Sequence, residues 1–141
     1  MEMERTIAET CMCHKVRYAA RAVTRAYDNA LRPAGLRATQ LSVLVAIARE
    51  DAVSIAALAE FMGMDRSTLT RNLQPLINDN LVGLGAEGWR RSRMVSITAK
   101  GRERMKKALP FWKEAQNTLR NALGTADWVA AVHSLDRLSN V

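Results

Sequence analysis

Long apolar runs are missing from this chain of 141 residues. No stretch of about 18 consecutive apolar residues occurs, so no membrane-spanning helix is expected. The opening residues, Met1-Glu2-Met3-Glu4-Arg5, are charged and lack the apolar segment of a secretory leader. Cysteine is nearly absent. The two present, Cys11 and Cys13, cannot make a secreted disulfide framework, and a reducing, cytoplasmic setting is expected. They also make a poor metal site, because on a helix they project to opposite sides and no further cysteine completes a zinc set. No Ser-His-Asp set, nucleotide loop or catalytic carboxylate pair stands out, so an enzyme is not expected, nor a metal or cofactor. The length suits a single domain with an extended helical appendage, and 48% hydrophobic content is enough for a core.

Acidic side chains are the minority, 14 against 21 Lys and Arg. The location of the excess says more than its size. Residues 63–107 hold ten basic residues and four acidic ones, so +6 of the net +7 lies there. A localised basic field is the footprint expected of a surface that binds phosphates.

That field begins inside residues 54–74, which read as two short helices meeting at Gly63. Ser54 and Asp65 can cap them, since each side-chain oxygen accepts from free first-turn N–H groups. Gly63 allows the positive φ of a sharp turn. Ala59 is small where the helices cross, and Leu69 falls on the inner face of the second. This spacing describes a helix-turn-helix. Leu69, Leu73, Leu76 and Ile77 recur at helical spacing towards a core. Arg66, Ser67, Thr70 and Arg71 point away, and none is acidic. Such a face suits a DNA major groove, where Arg reads guanine edges and Ser or Thr is versatile. Taken alone, it is equally a solvated face on a helical hairpin; the charge map favours nucleic acid.

The rest of the chain supplies a frame. Residues 6–32 read as one long helix, with Met12, Val16, Ala19, Val23, Ala26 and Ala30 as its apolar stripe. It ends near Pro33. Thr39 is placed to cap a nearly buried helix through Leu41, Leu44, Val45, Ile47 and Ala48, which stops at Arg49-Glu50-Asp51. Pro75 should bend its helix without ending it. Leu81–Leu84 and Arg93–Ile97 are β-compatible, and the turn-rich stretch between them carries Arg90 and Arg91. A two-stranded hairpin directly after a helix-turn-helix makes a winged helix, whose tip arginines suit a minor groove. Thr98 caps a helix reaching Leu123, and a last helix spans Ala126 to Ser139 with Trp128, Val129, Val132, Leu135 and Leu138 on one side. Soluble monomers rarely leave stripes like those of the end helices exposed, so a helical dimerisation layer is expected. A two-fold dimer also matches a palindromic site.

The chain resembles the MarR family of winged-helix regulators. The resemblance is carried by Gly35-Leu36-Arg37-Ala38-Thr39-Gln40, Ala57-Leu58-Ala59, Asp65 to Leu73, Leu81-Val82, and Arg91 to Gly101, and it covers roughly residues 13–110. It implies a homodimer binding a pseudo-palindromic operator in double-stranded DNA, usually as a repressor. It also implies a small-molecule effector cleft between the dimerisation helices and the DNA-binding lobe. The chain is thus read as one mainly α domain, 1–141, with dimerisation helices at 1–34 and 104–141 and a winged helix-turn-helix lobe at 36–103. Arg66, Ser67, Thr68, Thr70 and Arg71 are assigned to the major groove, and Arg90, Arg91 and Arg93 to the wing. The family's wing usually carries Asp-x-Arg. Here that Arg is Arg91, but Trp89 stands where the Asp belongs, and Glu87 is the substitute carboxylate.

Control of binding has two readings. In one, a small apolar or aromatic acid-like ligand enters the cleft, with Arg17, Arg21 or Tyr27 as orienting groups. In the other, Cys13 senses oxidants. By the resemblance, Cys13 matches the reactive cysteine of the family's hydroperoxide-sensing branch and Tyr27 one of its two attendant tyrosines. Arg17 replaces the other tyrosine, yet it lies one turn from Cys13 as an electropositive neighbour that favours thiolate chemistry. The ligand reading is preferred. The rivals to a regulator are a winged helix used only for protein contact and, more weakly, an enzyme.

Overall fold

The computed structural model describes residues 1–87 and 93–141. In chain order the elements are α1 (Glu2–Thr10), α2 (Met12–Leu31), a 3-10 turn (Arg32–Ala34), α3 (Ala38–Glu50), β1 (Ala52–Ser54), α4 (Ile55–Met62), α5 (Arg66–Asn78), β2 (Val82–Glu87), β3 (Arg93–Ile97), α6 (Ala99–Leu123) and α7 (Thr125–Leu138). The architecture is a mainly helical winged helix-turn-helix with a small antiparallel sheet and helices at both ends.

Local chemistry accounts for most boundaries. Ser54 Oγ accepts from the Ala57 N–H at 3.1 Å and starts α4. Gly63 ends it with φ 64°, the left-handed conformation that glycine adopts without a Cβ clash. Asp65 Oδ1 accepts from the Thr68 N–H at 2.7 Å and starts α5. Thr98 Oγ1 accepts from the Gly101 N–H at 2.9 Å and also donates to the Asn80 carbonyl at 2.7 Å. One hydroxyl therefore caps α6 and ties it to the loop before β2. Pro75 and Pro110 sit inside α5 and α6 without ending either helix.

Three expectations need correction. The long first helix is two helices: Cys11 adopts φ −63°, ψ 113°, extended backbone that breaks the run between α1 and α2. The wing sheet has three strands, in the order β1-β3-β2. Short β1 pairs with β3, Val53 opposite Val95, and β2 pairs with the other edge, Leu84 opposite Val95. Finally, Thr39 does not cap α3. The helix starts at Ala38, Gln40 Oε1 accepts from the Arg37 N–H at 2.9 Å, and Asp28 of α2 accepts from the Ala38 N–H at 2.7 Å. A carboxylate from another helix thus does the work that the local pattern gave to Thr39.

The core lies in the lobe. Leu44 and Ile47 of α3, Leu58 of α4, Leu69, Leu73 and Leu76 of α5, Leu81 and Val95 are sealed from solvent, joined by Leu31 from the end of α2. Each such side chain contributes roughly 1.5–3 kcal/mol on burial. Helix α6 buries small residues seven apart, Gly101, Ala108 and Ala115, and reaches this core through Ala108 with Met105, Phe111 and Trp112 packed against it. At Gly101 a Cβ would collide with the Leu81 carbonyl oxygen, so close approach requires glycine. Helices α1 and α7 bury no residue in the single chain. No helix among the described residues is long and apolar enough to cross a membrane.

Candidate nucleic-acid interface

Helix α5 divides as its sequence requires. Leu69, Leu73 and Leu76 anchor one side in the core, while Arg66, Ser67, Thr70 and Arg71 are exposed and Thr68 is half-buried. The core leucines fix the helix in rotation, and that fixes which side chains it presents. Its start is fixed by Asp65. This carboxylate accepts from the Thr68 N–H and from Ser67 Oγ, both at 2.7 Å. Those hydrogen bonds, with nearby Arg71 adding a smaller effect, hold its pKa down at about 2 against an ordinary 3.8.

The exposed hydroxyls are partly committed inside the helix. Thr70 Oγ1 donates to the Arg66 carbonyl at 2.8 Å, and Arg71 Nη2 lies 3.4 Å from Thr68 Oγ1. The two guanidinium groups make no salt bridge among the described residues. Arg93 opens β3 and is exposed. Arg90, Arg91 and Trp89 lie outside the described residues, as does the side chain of Glu87. Gln74 was missed by a reading guided by charge. It is exposed, three residues after Arg71 and four after Thr70, and its Nε2 donates to Asn78 Oδ1 at 2.9 Å. Its spacing on the helix was the available signal.

The candidate sensor residues fall in two places, with Cys13, Arg17 and Arg21 together and Tyr27 apart. Tyr27 lines a cleft of about 580 Å³ between α2, α3, the end of α4 and α6, with Leu31, Leu41, Val45, Met62, Met105 and Trp112 among its walls. Arg17 and Arg21 do not line it. They border a separate shallow depression with Cys11, Cys13 and His14. Nearly four turns of α2 separate Tyr27 from Cys13. The Tyr27 hydroxyl donates to Gln116 Oε1 across the α2–α6 contact, and burial raises its pKa. Among the described residues no group of three His, Cys, Asp or Glu is placed to hold a metal ion.

Comparison with known proteins bears on these surfaces. A sequence model described as "MarR family" matches residues 34–91. The M. tuberculosis transcriptional regulator MosR, solved in complex with DNA, is similar at 37% identity and TM-score 0.84, over 93% of this chain and 95% of that one. Bordetella bronchiseptica BpsR, whose DNA binding is regulated by 6-hydroxynicotinic acid, shares the fold at TM-score 0.84 and 23% identity, over 95% of this chain and 96% of its own. A mutant MarR from E. coli complexed with operator DNA shares it at TM-score 0.83 and 17% identity, over 94% and 96%. No curated protein sequence matches the chain.

Proposed function

The chain belongs to the MarR family of winged-helix transcription regulators and is not an enzyme; from that premise we propose that two copies form a homodimer that represses transcription at a pseudo-palindromic operator and releases it when a small ligand enters the cleft. The observation that carries this reading is the exposed, acid-free face of α5, set in register by its buried leucines and by the Asp65 cap. Arg71 and Arg66 read or position the major groove, with Ser67, Thr68, Thr70 and Gln74 beside them. Arg90, Arg91 and Arg93 serve the wing. MosR and E. coli MarR, each solved with DNA, support this use of the fold.

Dimer formation is supported by the apolar side chains that the single chain leaves open. Val129, Val132, Leu135 and Leu138 of α7 are 39–61% exposed, and Met12, Val16 and Val23 of α2 are 38–60% exposed. Ligand control is supported by the cleft, which lies between α2 and α6 on one side and α3 and the end of α4 on the other. A ligand releases DNA only if it favours a dimer geometry whose reading heads no longer match the operator. The regulation of BpsR by a small aromatic compound supports this use of the fold.

The test is operator affinity measured against salt. Counterion release makes log K fall steeply and linearly with log salt, at roughly −0.9 per phosphate contacted. A flat salt dependence favours the protein-contact rival. A second reading rests on the depression where exposed Cys13 adjoins His14, Arg17 and Arg21. If organic hydroperoxide releases the wild type from operator but not Cys13→Ser, the cysteine is the sensor and the ligand reading loses.

A further inference from the structure

We propose that each operator half-site carries a thymine next to the guanine taken by Arg71, and that Thr70 reads this thymine through its 5-methyl group. The inference rests on the DNA-binding reading above and gives the reading face a base content. Ser67, Thr70, Arg71 and Gln74 are exposed and lie three or four residues apart on α5. From Ser67 to Gln74 the helix rises about 10 Å, the length of about three base-pair steps. What each side chain can offer a base edge is set by the hydrogen bonds it already makes. Ser67 Oγ donates to Asp65 Oδ1 at 2.7 Å, and Thr70 Oγ1 donates to the Arg66 carbonyl at 2.8 Å. Neither hydroxyl has a proton left for a base, though each oxygen can accept. Arg71 is the reverse. Its guanidinium only donates, and it makes no salt bridge among the described residues. Guanine, with O6 and N7 as paired acceptors, is the base it fits.

Thr70 differs from Ser67 in one group. Its Cβ also carries a methyl, and tying Oγ1 back to the helix leaves that methyl as the free branch of an exposed side chain. Of the exposed side chains on this face, Arg66, Ser67, Thr70, Arg71 and Gln74, only Thr70 ends in a methyl. Among the base edges of the major groove, only thymine presents one. Contact between the two methyl groups removes both from water, and no polar group is left unpaired by it. Consecutive residues differ by about 1.5 Å along the helix axis, less than one base-pair step, so the bases met by Thr70 and Arg71 are neighbours.

The experiment uses the full-length protein and the operator duplex that selection from random DNA returns. Each thymine of a half-site is replaced in turn by deoxyuridine, which removes the 5-methyl group and leaves the base pairing unchanged. Affinity is read by titration against labelled duplex. At one position, next to a guanine whose preference Arg71→Ala relaxes, uracil is expected to weaken binding about fourfold, the worth of one buried methyl. Uracil in both half-sites should weaken it about 16-fold. Thr70→Ser keeps the hydroxyl that bonds the Arg66 carbonyl and loses only the methyl. Because the position is exposed and the hydrogen bond is kept, the fold is not at stake. Both protomers then lack the methyl, so the loss on the thymine operator should match that of the doubly substituted duplex, and uracil should cost nothing further. Thr70→Val, which keeps a methyl, should still distinguish thymine from uracil. A half-site with no thymine sensitive to uracil overturns the inference. So does a sensitive thymine that Thr70→Ser distinguishes as the wild type does. Either result, obtained on an operator that the chain still selects, leaves the DNA-binding reading standing. A chain that selects no sequence removes both.

Discussion

The lobe and the terminal helices are both amphipathic, yet only the lobe finishes its own core. Leu44, Ile47, Leu58, Leu69, Leu73, Leu76, Leu81 and Val95 are at most 1% exposed. On α7 the equivalent stripe of Val129, Val132, Leu135 and Leu138 stays open, and α1 leaves Met3 and Ile7 exposed at 68% and 56%. The difference teaches what each part is for. A closed core fixes the orientation of α5 within one chain. An open stripe needs a second surface before it can be stable in water.

Removing residues 124–141 should break this comparison most severely. The lobe keeps its core, but the pair of reading heads comes apart. Operator affinity should fall by about 10²–10⁴-fold, the factor that linked binding supplies. Light scattering should show monomers or aggregates, and a well-behaved dimer would reject the assigned role of α7. Leu73→Ala attacks the opposite side. It should cost about 2–5 kcal/mol in urea unfolding, because a sealed leucine leaves a cavity. Where the protein remains folded, its mass in solution should match the wild type.

Arg71→Ala should leave both core and assembly intact and weaken operator binding by about 1–3 kcal/mol if the guanidinium makes a bidentate base contact. Unchanged affinity and base preference would move the reading surface off this face. The smallest effect is expected at the cap. Asp65→Ala should loosen the start of α5 and lower operator affinity, while Asp65→Asn, still a good N-cap, should restore most of it. The pH dependence has a definite sign. The Asp65 pKa is depressed in the folded chain, so its stabilisation is complete above its ordinary 3.8 and is lost as pH falls towards about 2. Unfolding followed across that window should show a larger loss in wild type than in Asp65→Ala, the difference being the share of Asp65.

What the sequence disclosed follows from the range of the interactions. Ser54, Gly63, Asp65 and Thr98 act on backbone within three residues, and each was legible as a cap or a turn. The core face of α5 was legible because Leu69, Leu73 and Leu76 follow helical spacing. The break at Cys11 was not, since neither glycine nor proline marks it. The start of α3 depends on Asp28, ten residues away, which no local pattern reveals. Strand β1 is three residues long, too short for an alternation to register, and it exists through its pairing with β3. The cleft was legible only as a location. That Tyr27 lies within it while Arg17 and Arg21 lie outside depends on how α2, α3 and α6 pack together.

Selection of bound sequences from random duplex DNA tests most directly whether two closed lobes, joined through open helices, read DNA as a pair. The predicted result is an inverted repeat whose half-sites are centred about one helical turn, 10–10.5 base pairs, apart, with base preference relaxed within each half-site for Arg71→Ala. An unpaired half-site, or binding with no sequence preference, would contradict it.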